Sequence, residues 1–252
     1  QVLSEAVEEA KQASMEAAYE AGGEGAVARW RRGVGEQLPV ASFVNEAVLH
    51  LDRALVDEAG GVRVETALAL GKLAASAAKA VPTLARVLHS DPEGSVRAAA
   101  ADALGALGKV GAPAVPGLIE ALDDEVTDVR LRAAGALGSM GLQASEAVEP
   151  LVACLADDGH AGGSGWAGGW VAGRAAKALG RLGVTASPAV PHLAAMLRTT
   201  GRSGDVIEAA ARSLAQLARV VPAAGDALAN ALVDRDHVPP RMRAVAAEAL
   251  SV

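Results

Sequence analysis

The chain has 252 residues, 51% of them apolar but only 2% aromatic, and a formal charge of −7. Its apolar residues are mainly Ala, Leu and Val, which argues against a β-sandwich or barrel and for an all-α protein. The acidic surplus disfavours a sequence-independent nucleic-acid binder. A single cysteine excludes an intrachain disulfide and any Cys-rich zinc module.

In chain order, Gln1–Glu20 reads as an acidic amphipathic helix, with Leu3, Val7, Ala10 and Ala17 on one face. Gly22, Gly23 and Gly25 break it. A short second helix then carries Val27, Trp30 and Val34 on one face, together with Arg29, Arg31 and Arg32. Residues 1–37 fall outside the period that follows. They read as a degenerate cap over the first repeat or as a docking arm that uses Trp30.

From about residue 38 the chain repeats itself. Six segments pair an apolar opener with a leucine eight residues later: Val62/Leu70, Val96/Leu104, Val129/Leu137, Val171/Leu179, Val206/Leu214 and Met242/Leu250. A helix precedes each segment, and its last core leucine is 55, 88, 122, 155, 197 or 232. From the central leucine of one unit to this leucine of the next, the offset is 18 every time. From this leucine to its own opener it varies from 7 to 16. A fixed turn between units and a free loop within them is the signature of stacked helix pairs. The expected fold is an all-α, right-handed α-solenoid of about six pairs, with units near 38–73, 74–108, 109–141, 142–183, 184–218 and 219–252.

Local chemistry supports the phase. Gly108, Gly141 and Gly183 fall where each second helix should end, and glycine admits the positive φ found there. Pro82, Pro116, Pro150 and Pro191 fall near the start of each first helix, where a missing N–H costs little. Gly105, Gly138 and Gly180 sit mid-helix at about 1 kcal/mol each relative to Ala, which implies close helix–helix approach.

These residues resemble HEAT repeats, specifically the short type called phycobilisome-lyase HEAT-like, over about residues 38–252. The proline in helix one, the Asp closing the loop, the Val-Arg opener and the Ala-Leu-Gly-x-Leu-Gly run carry the resemblance. It implies an internal ladder between adjacent repeats, made by Asp57 and Arg63, Asp91 and Arg97, and Asp124 and Arg130. Arg97 and Arg130 should reach a loop carboxylate, with Asp91 and Asp124 the leading candidates. Ala172 and Ile207 replace the arginine in units four and five, so the ladder should break there, and Arg243 returns in unit six.

Chemistry-bearing motifs are sparse. No two of the five histidines stand at i, i+3 or i, i+4, so no paired-His metal face exists on a helix. Cys154 reads as a buried small hydrophobe. The run 163–168 satisfies G-x-G-x-x-G, but it follows a helix and no βαβ unit surrounds it. It reads better as the enlarged loop of repeat four, Gly159–Gly169, which with its flank brings Trp166 and Trp170. Tryptophan favours interface hot spots, so this loop is a candidate contact site; the alternative is a plain insertion whose Trp170 covers the next helix. The second helices should expose Ala98, Ala101, Asp102, Arg132, Gly135, Lys177, Arg181 and Arg212, lining a shallow groove of mixed charge.

The expected role is a non-catalytic protein–protein interaction scaffold or assembly subunit, without cofactor, metal or nucleic acid. Its partner would meet Trp30, Trp166, Trp170, Arg132, Lys177 and Arg181. The resemblance supplies an alternative, a bilin lyase or chaperone-like protein that holds a tetrapyrrole. No run reaches the roughly 18 uncharged apolar residues of a membrane span. The chain begins at Gln1 and stops inside an apparent helix, which reads as a processed chain or a piece of a longer one.

Overall fold

The computed structural model describes residues 40–156, 168–199, 203–234, 236, 238 and 240–250. Those residues form twelve α-helices and no strand. They fall into six pairs. The first two pairs are α1 (Val40–Ala54) with α2 (Gly60–Lys72), and α3 (Val81–Ser90) with α4 (Gly94–Ala106). The third and fourth are α5 (Val115–Glu120) with α6 (Thr127–Met140), and α7 (Val148–Cys154) with α8 (Gly168–Leu182). The last two are α9 (Val190–Arg198) with α10 (Gly204–Ala218), and α11 (Pro222–Val233) with α12 (Pro240–Leu250).

The constant offset between units has a structural cause. The first five units are joined by four 3₁₀ segments of 7 residues each: Ala74–Ala80, Gly108–Ala114, Gly141–Ala147 and Gly183–Ala189. Gly108, Gly141 and Gly183 open three of them at φ values of +57°, +60° and +65°. Ala74 opens the other at φ +47°, a conformation that a Cβ disfavours. Pro82, Pro116 and Pro191 occupy the first two positions of α3, α5 and α9, where proline removes no helical hydrogen bond. Pro150 stands third in α7.

The central leucines 70, 104, 137, 179 and 214 are fully buried. Around them Val96, Val129, Val171, Val206 and Met242 close the core. Val62 does not, at 42% exposure. An opener packs on the unit before it, as Val206 does 3.7 Å from the Cβ position of Gly173. Val62 has no preceding unit among the described residues.

The second helices stack tightly. A Cβ on Gly105 would lie 2.8 Å from Ala136 Cα, and one on Gly138 would lie 2.7 Å from Ala178 Cα. Gly71 against Ala103 and Gly180 against Ser213 repeat the arrangement at 3.1 and 3.0 Å. The mid-helix glycines therefore let backbones meet. First helices touch one another less than second helices do, so the second-helix row forms the closely spaced side of the stack. This spacing also buries Ala98 (4% exposed) and Ala101 (0%), both expected at the surface. A methyl group is too short to clear a neighbouring helix at that distance.

Candidate interaction face on the second helices

The carboxylate–guanidinium ladder runs along the loops that join the helices of a pair. Arg63 meets Asp91 with two parallel bonds, Nε to Oδ2 at 2.7 Å and Nη2 to Oδ1 at 2.9 Å. Arg97 meets Asp124 likewise, at 2.8 and 2.9 Å. The carboxylate belongs to the following unit, 27 or 28 residues on, and not to the Asp six residues earlier. That earlier Asp contributes its backbone oxygen instead. Arg63 Nη1 donates to Asp57 O at 2.9 Å, Arg97 Nη1 to Asp91 O at 2.9 Å, and Arg130 Nη1 to Asp124 O at 2.8 Å. The expected pairings Asp57/Arg63, Asp91/Arg97 and Asp124/Arg130 are thus corrected to contacts with the backbone oxygen of the earlier Asp. The side chains of Asp91 and Asp124 face the preceding unit.

Each aspartate also closes its turn. Asp57, Asp91 and Asp124 accept the N–H two residues on, at 2.8, 3.0 and 2.8 Å. Burial pushes the Asp91 carboxyl up, but the Arg63 hydrogen bonds, the Glu93 N–H and the nearby arginine charges outweigh it, and the carboxyl titrates below its usual value. Asp124 behaves in the same way, with burial opposed by Arg97, the Val126 N–H and Arg130. At the equivalent helical positions in units four and five, Ala172 and Ile207 are buried and apolar. Arg243 reaches Val238 O at 3.4 Å. The ladder joins repeats; the Arg63 and Arg97 guanidinium groups are covered, whereas Arg130 is half-buried and lines, with Asp124, a groove of about 750 Å³ beside Ile119, Pro150 and Cys154.

The residues with surface chemistry lie elsewhere. Trp170, Arg174, Lys177 and Arg181 stand at i, i+4, i+7 and i+11 on α8, and all four are exposed. That periodicity places them on one face. Trp170 therefore belongs to the first turn of a helix and not to the loop, and at 64% exposure its indole is largely in water. Arg174, Lys177 and Arg181 make no ion pair or side-chain hydrogen bond among the described residues. No acidic residue occurs in α8.

Flanking helices present small side chains to this stripe. Gly135 and Ser139 of α6 lie on one side and Ala209 of α10 on the other. Gly135 lets the Arg174 stem lie across α6, with Cδ 3.4 Å from the absent Cβ position. The result is two open grooves. One, of about 320 Å³, runs between Leu131, Trp170, Arg174, Lys177 and Asp205; the other, of about 170 Å³, runs between Asp102, Arg132, Arg174 and Arg181. Arg132 is held by Asp102 on α4 and by Asp128 on its own helix, the latter at 3.1 Å. Arg212 pairs with Glu208 at 2.7 Å.

Of the sequence candidates, Arg132, Trp170, Lys177 and Arg181 come together here. Trp30, Trp166 and most of the enlarged loop lie outside the described residues, as does the G-x-G-x-x-G run except its last glycine, Gly168, which opens α8. Arg174 was missed, although its i+4 spacing from Trp170 was readable. Cys154 is buried, and exposed His89 stands 3.2 Å from exposed Glu120. Among the described residues no three His, Cys, Asp or Glu side chains converge as a metal site, and no helix is long and apolar enough to cross a membrane.

One family model, described as HEAT repeats, matches residues 103–163, and a second, described as HEAT repeat, matches 80–111. No curated protein sequence matches the chain. Among solved structures it is similar to the complex of CpcE and CpcF of phycocyanin lyase from Nostoc sp. PCC7120. That match has 27% identity and a TM-score of 0.57, over 81% of this chain and 75% of the other. An engineered protein matches at 24% identity and TM-score 0.57, over 81% and 95% of the two chains. A designed armadillo repeat protein matches at 18% and 0.54, over 81% and 98%. The last two likenesses concern the fold alone. With its repeats matched directly over 80–163 and the same helix pairs on either side, the chain is an all-α solenoid that carries HEAT repeats.

Proposed function

We propose that this solenoid is a non-catalytic interaction subunit that engages a protein partner through the second-helix face around α8 and the adjoining loop. The observation that carries this reading is Trp170: a rare, large, apolar side chain held largely in water on a helix, beside three cations with no ionic partner among the described residues. Exposed indoles flanked by arginine have the composition of interface hot spots. The grooves beside it are open and contain one aromatic residue, which suits surface recognition better than enclosure of a small molecule.

The test is capture from the native source followed by mass spectrometry. Replacing Trp166 and Trp170 together by Ala should weaken recovery of the native partner while leaving helicity intact. Recovery equal to that of the parent chain would overturn the reading. A second reading, a bilin-handling role, is favoured only by the likeness to the phycocyanin lyase complex. A shifted visible absorbance on mixing the purified protein with bilin would support it.

A further inference from the structure

We propose that the α8 stripe recognises an acidic helical segment of the protein partner, an inference that rests on the interaction role above. Three observations converge on it. First, Arg174, Lys177 and Arg181 are exposed and have no ionic partner among the described residues, in a chain whose net charge is −7. Long cationic side chains elsewhere on this face are already paired, as Arg132 and Arg212 are. Cations left unpaired together on one helix face form a local positive field that attracts carboxylates and steers their approach.

Second, the spacing selects a helix. Residues 174, 177 and 181 rise about 4.5 and then 6 Å along the α8 axis, about 10.5 Å in all. Carboxylates at i, i+3 or i+4, and i+7 of a partner helix follow the same rise and share one face. Three same-face side chains of an extended strand span about 13 Å, a poorer match to that set than the helix. Trp170, one turn before Arg174, would meet an apolar residue one turn from the acidic set.

Third, the flanks restrict the charge pattern of the partner. The small residues Gly135, Ser139 and Ala209 leave room beside the stripe. Asp205 lines the groove beside Arg174 and Lys177, and Asp102, paired with Arg132, lines the groove beside Arg174 and Arg181. A partner helix can set its acidic side chains on the stripe alone and turn polar or basic ones to these carboxylates, whereas a uniformly anionic nucleic-acid backbone or bilayer would meet them with like charge.

The probe is a fluorescein-labelled, Ala-based helical peptide of about 20 residues, with Glu at i, i+3 and i+7 and Leu at i−4. Its control has Gln at the three acidic positions. Fluorescence anisotropy with the full chain should show binding of the Glu peptide that weakens with salt, at least tenfold tighter than the Gln peptide. The triple variant R174A/K177A/R181A, with its circular dichroism unchanged, should lose at least tenfold. The variant K79A/K109A, on exposed lysines away from the face, should bind as the parent does. Several results would overturn the proposal. These are failure of the Glu peptide to bind, binding retained by the triple variant, or equal binding of a single-stranded oligonucleotide or of phosphatidylserine vesicles. Concentration-dependent self-association in sedimentation that disappears in the triple variant would assign the face to a second copy, and would also overturn it. If the native partner is still recovered through Trp166 and Trp170 while the triple variant is silent, this inference fails and the interaction role stands.

Discussion

Replacing Gly138 with Ala tests the packing principle of the whole stack. In α6 the added Cβ would lie 2.7 Å from Ala178 Cα and 2.9 Å from its Cβ. Carbon atoms pack best at about 3.5–4.0 Å, so α6 and α8 must separate by roughly 1 Å. Both Ala178 atoms are fixed to a helix backbone, and no flexible side chain can move aside. Overpacking of this kind costs about 1–3 kcal/mol, set against about 1 kcal/mol that Ala gains over Gly in helix propensity. The obstruction is backbone, which places the cost at the upper end, and the expected net destabilisation is about 2 kcal/mol. Gly117 in α5 is the matched control, because a Cβ there meets nothing within 4 Å. Gly117→Ala should stabilise by up to about 1 kcal/mol. Urea unfolding followed by far-UV circular dichroism measures both. In a quasi-one-dimensional stack, damage between units three and four should also broaden or split the transition. If Gly138→Ala is as stable as Gly117→Ala, the close approach of the second helices is not what retains that glycine.

Arg97→Ala removes the paired bonds to Asp124 and one to Asp91 O, and leaves a mostly covered carboxylate behind. A loss of about 2–3 kcal/mol is expected by urea titration, while Arg174→Ala should stay within about 0.5 kcal/mol. The acid response follows from Asp91 and Asp124, whose carboxyls titrate below their usual value. Their contribution is complete above the unfolded pKa of about 3.9 and is lost as pH falls through the folded values. Thermal melts at descending pH should therefore show a drop that begins near pH 4 and shrinks in Asp124→Asn; a drop of the parent's size in that variant would contradict the assignment. Ala74→Gly relieves a non-glycine residue at φ +47°, and should raise stability by about 1 kcal/mol in the same urea assay. A decrease would mean that the turn holds Ala74 without strain.

Much of this architecture was readable from the chain alone, and the reason is physical. Unit phase, helix ends and close approaches depend on residues whose demands are local. Glycines 108, 141 and 183 mark positive φ, prolines 82, 116 and 191 mark helix starts, and the 18-residue offset follows from a turn of constant length. Glycines 105 and 138 signalled helix contact because nothing local explains a mid-helix glycine. Relations that cross between units were not legible in the same way. A six-residue Asp–Arg spacing is compatible with a pair inside one loop or across two. Only the rise of the stack brings Arg63 to Asp91 and Arg97 to Asp124, and leaves Asp57 and Asp91 to offer backbone oxygens. Helix spacing likewise decided that Ala98 and Ala101 are covered. The α8 stripe combines both kinds of information. Its i, i+4, i+7, i+11 period is written in the sequence, but its exposure follows from the small residues that neighbouring repeats place beside it, and those neighbours are set by the tertiary stack.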